Sequence, residues 1–456
     1  MKKRLAALLI LCMTVSCLAG CSGSSGSSES SGSSESSSES SGAGSEGADS
    51  ESSFEGKTLN VIMQDHSAVE SVIEAKGKFE EETGATVNIE TLPQSEVLSK
   101  AQLTLSSGSS DYDVVMFDHK YTTQFAEAGW IVPLSDFVEK DNYDTGDFMQ
   151  GFVEALSYND EIYALPFYGE STMLMYNTEM FADAKIEGAP KTAEEFWDAC
   201  EKLKEAGYSA FACRANRDEG QNVYIWTGFF LGAGADWFDE DGKLSVNTEE
   251  AAAGTEAFIK VLRDYSINGV ESYNWDNVQL AFQQGKIAMA IDATNFAARL
   301  EDESQSTVVG KVGYSMVPEG LSVPSTSTWG LGLNKASENQ ELGWEFIKWC
   351  LGEEIMLQTA VDGLRADVTR ASVMNSDEYT SKYNYEDGNW IQVVIDSMNA
   401  APADYEPRIT DWTTLGDAMA TAVSKSLDGE DVKSSLEEAQ KSCSNITNDA
   451  YTPVNR

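Results

Sequence analysis

The sequence predicts an α/β fold, and three observations carry that expectation. From Phe54 onward, short apolar runs of strand character alternate with stretches whose apolar residues recur at helical spacing. The first of these elements follow the order β-α-β-α-β, which implies a mostly parallel sheet flanked by helices. Hydrophobic residues make up 41% of the 456, with 10 Trp, 17 Tyr and 18 Phe, so a sizeable core can form. At ~100–200 residues per domain, the length fits two or three domains or one two-lobed body.

Residues 59–63 form a strand ending in Gln64, Asp65 and His66. Residues 69–82 follow as a helix, because Val69, Val72, Ile73, Ala75 and Phe79 fall near one face, and Gly84 stops it. Residues 86–90 are a second strand, 96–106 a helix, and 113–117 a buried strand ending at Asp118. Right-handed crossovers place the C-terminal ends of these strands on one edge, where open α/β sheets bind ligands. The loops 64–67, 92–95 and 118–121 converge there. A second set of elements begins at 173–176. Residues 192–206 form a helix with Thr192 as its cap and Glu194 and Glu195 in its first turn. Asp239-Glu240-Asp241-Gly242 is a hairpin turn between 237–238 and 243–246. It lacks the later ligands and the bidentate Glu of a calcium loop. Residues 249–265 and 278–284 are helices, and 287–291 is a strand ending at Asp292. Residues 312–316 and 331–333 are strands, and from Gln340 the chain reads mostly helical.

The chain opens with Lys2, Lys3 and Arg4, then an apolar run over 5–18. That run is shorter than the ~20 residues a spanning helix needs and suits an export signal. Leu18-Ala19-Gly20 stands directly before Cys21, which resembles a bacterial lipoprotein signal: residues 1–20 leave and Cys21 is lipidated. Residues 22–53 hold 18 Ser, 6 Gly and 6 acids, the composition of a flexible, self-repelling tether. The expected location is the outer side of the cell membrane, held there by the N-terminal lipid only. Cys200, Cys213, Cys350 and Cys443 remain in the body. They are too few for a disulfide scaffold, and whether Cys200 and Cys213 pair is left open.

Lys and Arg number 31 against 75 Asp and Glu, a net charge of −44. This excludes nucleic acid as a partner and a basic patch on anionic lipid. The only histidines are His66 and His119, which disfavours His-rich metal sites, and no C-x-x-C occurs. There is no Gly-rich phosphate loop and no G-x-S-x-G elbow. Neither a metal nor a cofactor is expected.

Five strings, in order, resemble the bacterial extracellular solute-binding proteins of family 1, receptors that feed sugar-type ABC importers. They are Asp111–Asp118 (DYDVVMFD), Phe125–Leu134 (FAEAGWIVPL), Ile162–Phe181 (IYALPFYGESTMLMYNTEMF), Ala281–Met289 (AFQQGKIAM) and Trp329–Leu333 (WGLGL). The resemblance implies a type II periplasmic-binding-protein fold: two α/β lobes, several hinge crossovers and a ligand cleft between them. It implies one lobe of 54–164 plus 318–370 and another of 165–317 plus 371–456. It further implies hinge closure on a sugar or oligosaccharide, delivery to ABC permease subunits with a cytoplasmic ATPase, a monomer, and no catalysis. The alternatives are a non-sugar solute (polyamine, metal chelate or peptide) on the same scaffold, or an exported glycoside hydrolase with a carboxylate pair.

Sugars offer C–H faces and rims of hydroxyls, so a site needs flat aromatics beside carboxylates, amides and Arg. Gln64, Asp65, His66, Asp118, His119 and Tyr121 follow predicted strand ends. Tyr168 and Glu170 follow the first crossing, and the resemblance places a ligand-binding acid at Glu170. Asp292 and Asn295 end the later strand. Trp329 opens the returning strand, and Arg365 lies in a loop resembling a late loop of the family. Trp226, Trp237 and Trp412 are further candidates. Beside these stand structural readings: Asp118 and Asp292 as caps, Trp226 and Trp412 as core, Trp275 as structural, and Lys286 as a solvated turn residue.

Overall fold

The computed structural model describes residues 54–402 and 404–447. The predicted signal, Cys21 and the tether lie outside the described residues. The strands are β1 Thr58–Gln64, β2 Thr86–Leu92, β3 Val114–Asp118, β4 Ile131–Val132, β5 Ser157–Tyr158, β6 Glu161–Ile162, β7 Leu165–Glu170, β8 Thr172–Asn177, β9 Ser209–Ala212, β10 Ile287–Ala293, β11 Val312–Ser315 and β12 Ser327–Asn334. One sheet runs β2-β1-β3-β12-β4, with β7 also paired to β12. The second runs β11-β8-β10-β9, and β5 and β6 form a separate hairpin.

The parallel expectation holds for β1, β2 and β3, which pair side by side in one direction. Beyond β3 the sheet is mixed, because β12 returns from the other lobe antiparallel to β3, β4 and β7. Every residue of β3, β7, β10 and β12 is buried. Such strands, covered on both faces, read as continuous apolar runs rather than alternating ones.

The helices follow their local signals. Thr192 Oγ1 accepts the Glu195 amide and starts the helix Ala193–Glu205. Asn274 and Asn277 form a reciprocal capping box at the start of Trp275–Gln283. The helix expected over 69–82 is two helices, Ser67–Ala75 and Gly77–Thr83. Gly77 sits at the break, where its low helix propensity weakens continuity. The tight turn at Asp239 forms, with Phe238 bridging Leu244.

Two crossings fall later than the sequence places them. Leu165–Glu170 was expected to open the second lobe, yet it pairs with β12 in the first sheet. The chain therefore crosses at Ser171, the single residue between β7 and β8. Residues 371–383 were also expected in the second lobe. Tyr379 Oη donates to the Ala366 carbonyl and Tyr383 Oη to the Ala360 carbonyl, which holds them on the first. Trp390 Nε1 donates to the Thr294 carbonyl, so the chain has crossed by then. These crossings are short and hydrogen-bonded: Thr294 N–H donates to the Ser171 carbonyl, and Ser325 N–H to Thr172 Oγ1.

Cys200, Cys213, Cys350 and Cys443 are all free and buried. Burial pushes the Cys200, Cys213 and Cys350 thiols up, so they act as small hydrophobes rather than nucleophiles. Among the described residues no helix is long and apolar enough to cross a membrane.

Candidate functional site

The C-terminal ends of β1 and β3, the loop after β2, the crossing at Glu170 and the start of β12 meet elements of the second lobe around one polar chamber. Its space is about 480 Å³, part of it open to solvent. Gln64, His66, Asp118, Tyr168, Glu170, Asn295 and Trp329, all expected from sequence, line it. So do Gln94, Lys120, Arg214, Gln221, Tyr224 and Trp275.

One wall is aromatic. His66 stacks on Tyr168 with centroids 4.4 Å apart and planes within 13°, and Tyr168 in turn stacks on Trp329 at 6.2 Å and 26°. Tyr168 Oη donates to Gln64 Oε1 at 2.7 Å, which fixes the ring. Nδ1 of His66 accepts the Ala68 amide as the cap of the first helix. Its Nε2 lies 3.0 Å from Asn295 Nδ2 and 3.6 Å from Asp367 Oδ2. Burial holds the His66 pKa below its usual value, with Asp367 opposing, so the ring is neutral.

The other wall is ionic. Arg214 donates from Nε to Asp292 Oδ1 at 2.8 Å and lies 4.5 Å from the Tyr224 ring centroid. Lys120 Nζ lies 3.1 Å from Asp118 Oδ2 and 2.9 Å from Glu406 Oε2. Burial opposes the charge on Asp118, but Lys120 and His119 outweigh it and hold its pKa at about 2. Glu170 is different. It is 8% exposed and has no side-chain hydrogen bond among the described residues. Burial raises its pKa to about 8; Arg214 opposes this, and Asp367, Asp292 and Asp118 add to it. Glu170 is thus a neutral acid at pH 7, able both to donate to and to accept from a hydroxyl.

This shift makes a prediction. Glu170 keeps its proton in the folded state up to about pH 8 but loses it near 4.5 when unfolded. The folded state therefore binds more protons between those values, and stability falls as pH rises through that window. Urea unfolding at pH 6 and pH 9 should show the loss, and Glu170→Gln should flatten it. An unchanged slope in that variant would contradict the assignment.

Several expected residues lie elsewhere. Trp226 is fully buried, donates from Nε1 to Thr255 Oγ1, and packs edge-on against Trp237. Trp237 donates to the Tyr405 carbonyl and packs edge-on against Trp412. None of the three lines the chamber: Trp226 and Trp237 fill the core of the second lobe, and Trp412 packs on Trp237 and borders a separate cavity beyond Lys120. Arg365 is fully buried, lies 4.4 Å from the Phe167 ring centroid and donates to the Phe167 and Cys350 carbonyls, clamping β7 from behind. His119 is 1% exposed, with Nδ1 2.9 Å from Asp118. Asp292 is also fully buried; it positions Arg214 and does not reach the chamber. Asp65 lines a second cavity at the cleft mouth, and Tyr121 a third beyond Lys120. Trp275, read as structural, borders both the chamber and the mouth.

Arg214 was legible in principle. Tyr208-Ser209-Ala210-Phe211-Ala212 is a short strand signal, and Arg214 stands just past its end. Gln94 lies in a loop already expected to converge on the site. Gln221 and Tyr224 gave no signal, because their helix Gln221–Gly232 is buried all round and has no polar face to single them out.

Two α/β lobes with short crossovers and an aromatic and ionic chamber between them define a cleft-type binding protein of the type II periplasmic architecture. The chain belongs to the bacterial extracellular solute-binding protein family, whose model matches residues 62–356. That family consists of binding proteins, not enzymes. The chain is similar to the erythritol/L-threitol-binding protein of Mycolicibacterium smegmatis, 22% identical over 409 residues, covering 85% of each chain. It is 27% identical over 321 residues to the diacetylchitobiose-binding protein of Streptomyces coelicolor, covering 66% of this chain and 71% of that protein. An ABC transporter solute-binding protein of Agrobacterium radiobacter, solved in complex with ribitol, shares the fold. Its TM-score is 0.79 at 24% identity, over 86% of this chain and 99% of that one.

Proposed function

We propose that this chain is the lipid-anchored receptor of an ABC importer, capturing a small neutral polyol or sugar and presenting it to membrane permease subunits coupled to a cytoplasmic ATPase. The observation that carries the reading is the chamber itself. The Tyr168–Trp329 wall offers flat faces to C–H groups. Around it stand Arg214 as a donor, Glu170 as donor and acceptor, and the amides Gln64 and Asn295. The anions Asp118 and Asp292 are already matched to Lys120 and Arg214, so the chamber offers no spare cation for a phosphate ester. The lipid anchor rests on the sequence before Cys21, and the permease on the family.

Calorimetry against erythritol, ribitol, mannitol, hexoses, disaccharides and a polyamine tests the reading. A ligand at a hundredfold excess over its Kd should stabilise the fold by about 2.7 kcal/mol. Binding of the polyamine alone would overturn the substrate class. Globomycin treatment of cells expressing the full chain should leave the unprocessed precursor if Cys21 is lipidated.

A further inference from the structure

We propose that a hydrogen bond between Gln94 and Gln221 closes one end of the chamber and sets the length of ligand the receptor accepts; this rests on the polyol or sugar reading above. Gln94 opens the helix Gln94–Ser107 of the first lobe, and Gln221 opens the helix Gln221–Gly232 of the second. Gln221 Nε2 donates to Gln94 Oε1 at 3.1 Å, so the bond spans the cleft. Both residues line the chamber, and both line the cavity of about 860 Å³ at the cleft mouth. The two spaces are therefore neighbours separated by this bridge.

The chamber has a second end. There Lys120 and Gly220 border both it and a further cavity lined by Tyr121 and Trp412. That end is held by a buried lysine between two buried carboxylates, Asp118 and Glu406. Parting such an arrangement strands buried charge and is costly. The glutamine bridge is one neutral hydrogen bond with a modest net value. In addition, the Oε1 of Gln221 is buried without a hydrogen-bond partner, although the side chain is 6% exposed. The amide has unused capacity that a ligand hydroxyl would satisfy. Of the two ends, the glutamine end is the one a longer ligand can open.

The mouth is furnished for a second ring. Trp275 borders both spaces, and Asp65, Asn216, Asn274 and Arg299 surround the outer one. On this proposal the intact bridge confines binding to a polyol or single ring. With it cut, a disaccharide can extend from the chamber onto Trp275.

The test is titration calorimetry of the whole protein, with ribitol and mannitol as short probes and maltose and maltitol as long ones. Gln94→Ala and Gln221→Ala are compared with the wild type, each checked for an unchanged cooperative thermal melt. The wild type is expected to favour the better short probe over the better long one by about a hundredfold, and each variant to narrow that ratio by about tenfold. The two substitutions fall on different lobes, so a folding defect in one does not remove the test. A wild type that binds long probes as tightly as short ones, or folded variants with an unchanged ratio, would overturn the gate while leaving the polyol reading intact. A wild type that binds none of the four, and neither erythritol nor a hexose, would overturn that reading and the gate with it.

Discussion

Lys120→Met is expected to destabilise the protein by about 3–5 kcal/mol, the usual cost of removing one partner from a buried ion pair. The lysine lies 6% exposed between Asp118, 2% exposed, and Glu406, 2% exposed. Burial lowers its pKa, but Asp118 and Glu406 together more than reverse that and leave it raised, so the ammonium is permanently charged. Methionine matches the length of the stem and supplies no charge, leaving two carboxylates facing each other out of water. The wild-type Asp118 pKa lies at about 2, below its ordinary 3.8, so its contribution is full above pH 3.8 and lost only as pH falls through about 2. In the variant Asp118 loses the neighbouring charge that holds its pKa down. The loss measured by urea unfolding should therefore be larger at pH 8 than at pH 5. Adding Glu406→Gln to Lys120→Met should recover part of it. A loss below about 1 kcal/mol at pH 8 would mean that the triad is not what holds the β3 end to the segment around Glu406.

Trp329→Ala is expected to abolish ligand binding, a loss of at least about a hundredfold, the scale of a buried aromatic hot spot. Trp329 is 3% exposed and lines the chamber at the start of β12, opposite Asp118 in register. Its ring stacks on Tyr168, which is held in turn by Gln64. Truncation removes a wall of the chamber and leaves a void, which by itself costs about 3–5 kcal/mol of stability. Trp329→Phe separates the two effects. It keeps a flat face at smaller volume, so it should retain measurable binding where alanine does not. Equal affinity in the alanine variant and the wild type would remove the aromatic wall from the account.

The fold was legible because its local signals were strong. The strand ends at Gln64 and Asp118 each rest on a run of apolar residues followed by a polar stop, and the cap at Thr192 on a Thr ahead of two acids and a helical pattern. The crossings were harder. Leu165–Glu170 carries nothing that says which sheet it joins; that is decided by its pairing with β12, some 160 residues later. The site divided in the same way. Residues at the ends of parallel strands, such as Gln64, His66 and Asp118, line the chamber because topology places them at one edge. Trp226, Trp237 and Trp412 were misplaced because a tryptophan's apolar bulk suits a core as well as a sugar face, and only packing decides. Arg365 and Arg214 show the same ambiguity for charge. Both are fully or nearly buried, yet one clamps a strand from behind and the other faces the chamber.

On the proposed function, a polyhydroxy ligand sits between the lobes in this chamber. A crystal structure with the tightest-binding polyol or sugar tests it most directly. The carbon skeleton is expected against Trp329 and Tyr168, with hydroxyls within hydrogen-bond reach of Arg214, Glu170 and Asn295. Density for the ligand anywhere else, or in the chamber without those contacts, would contradict it.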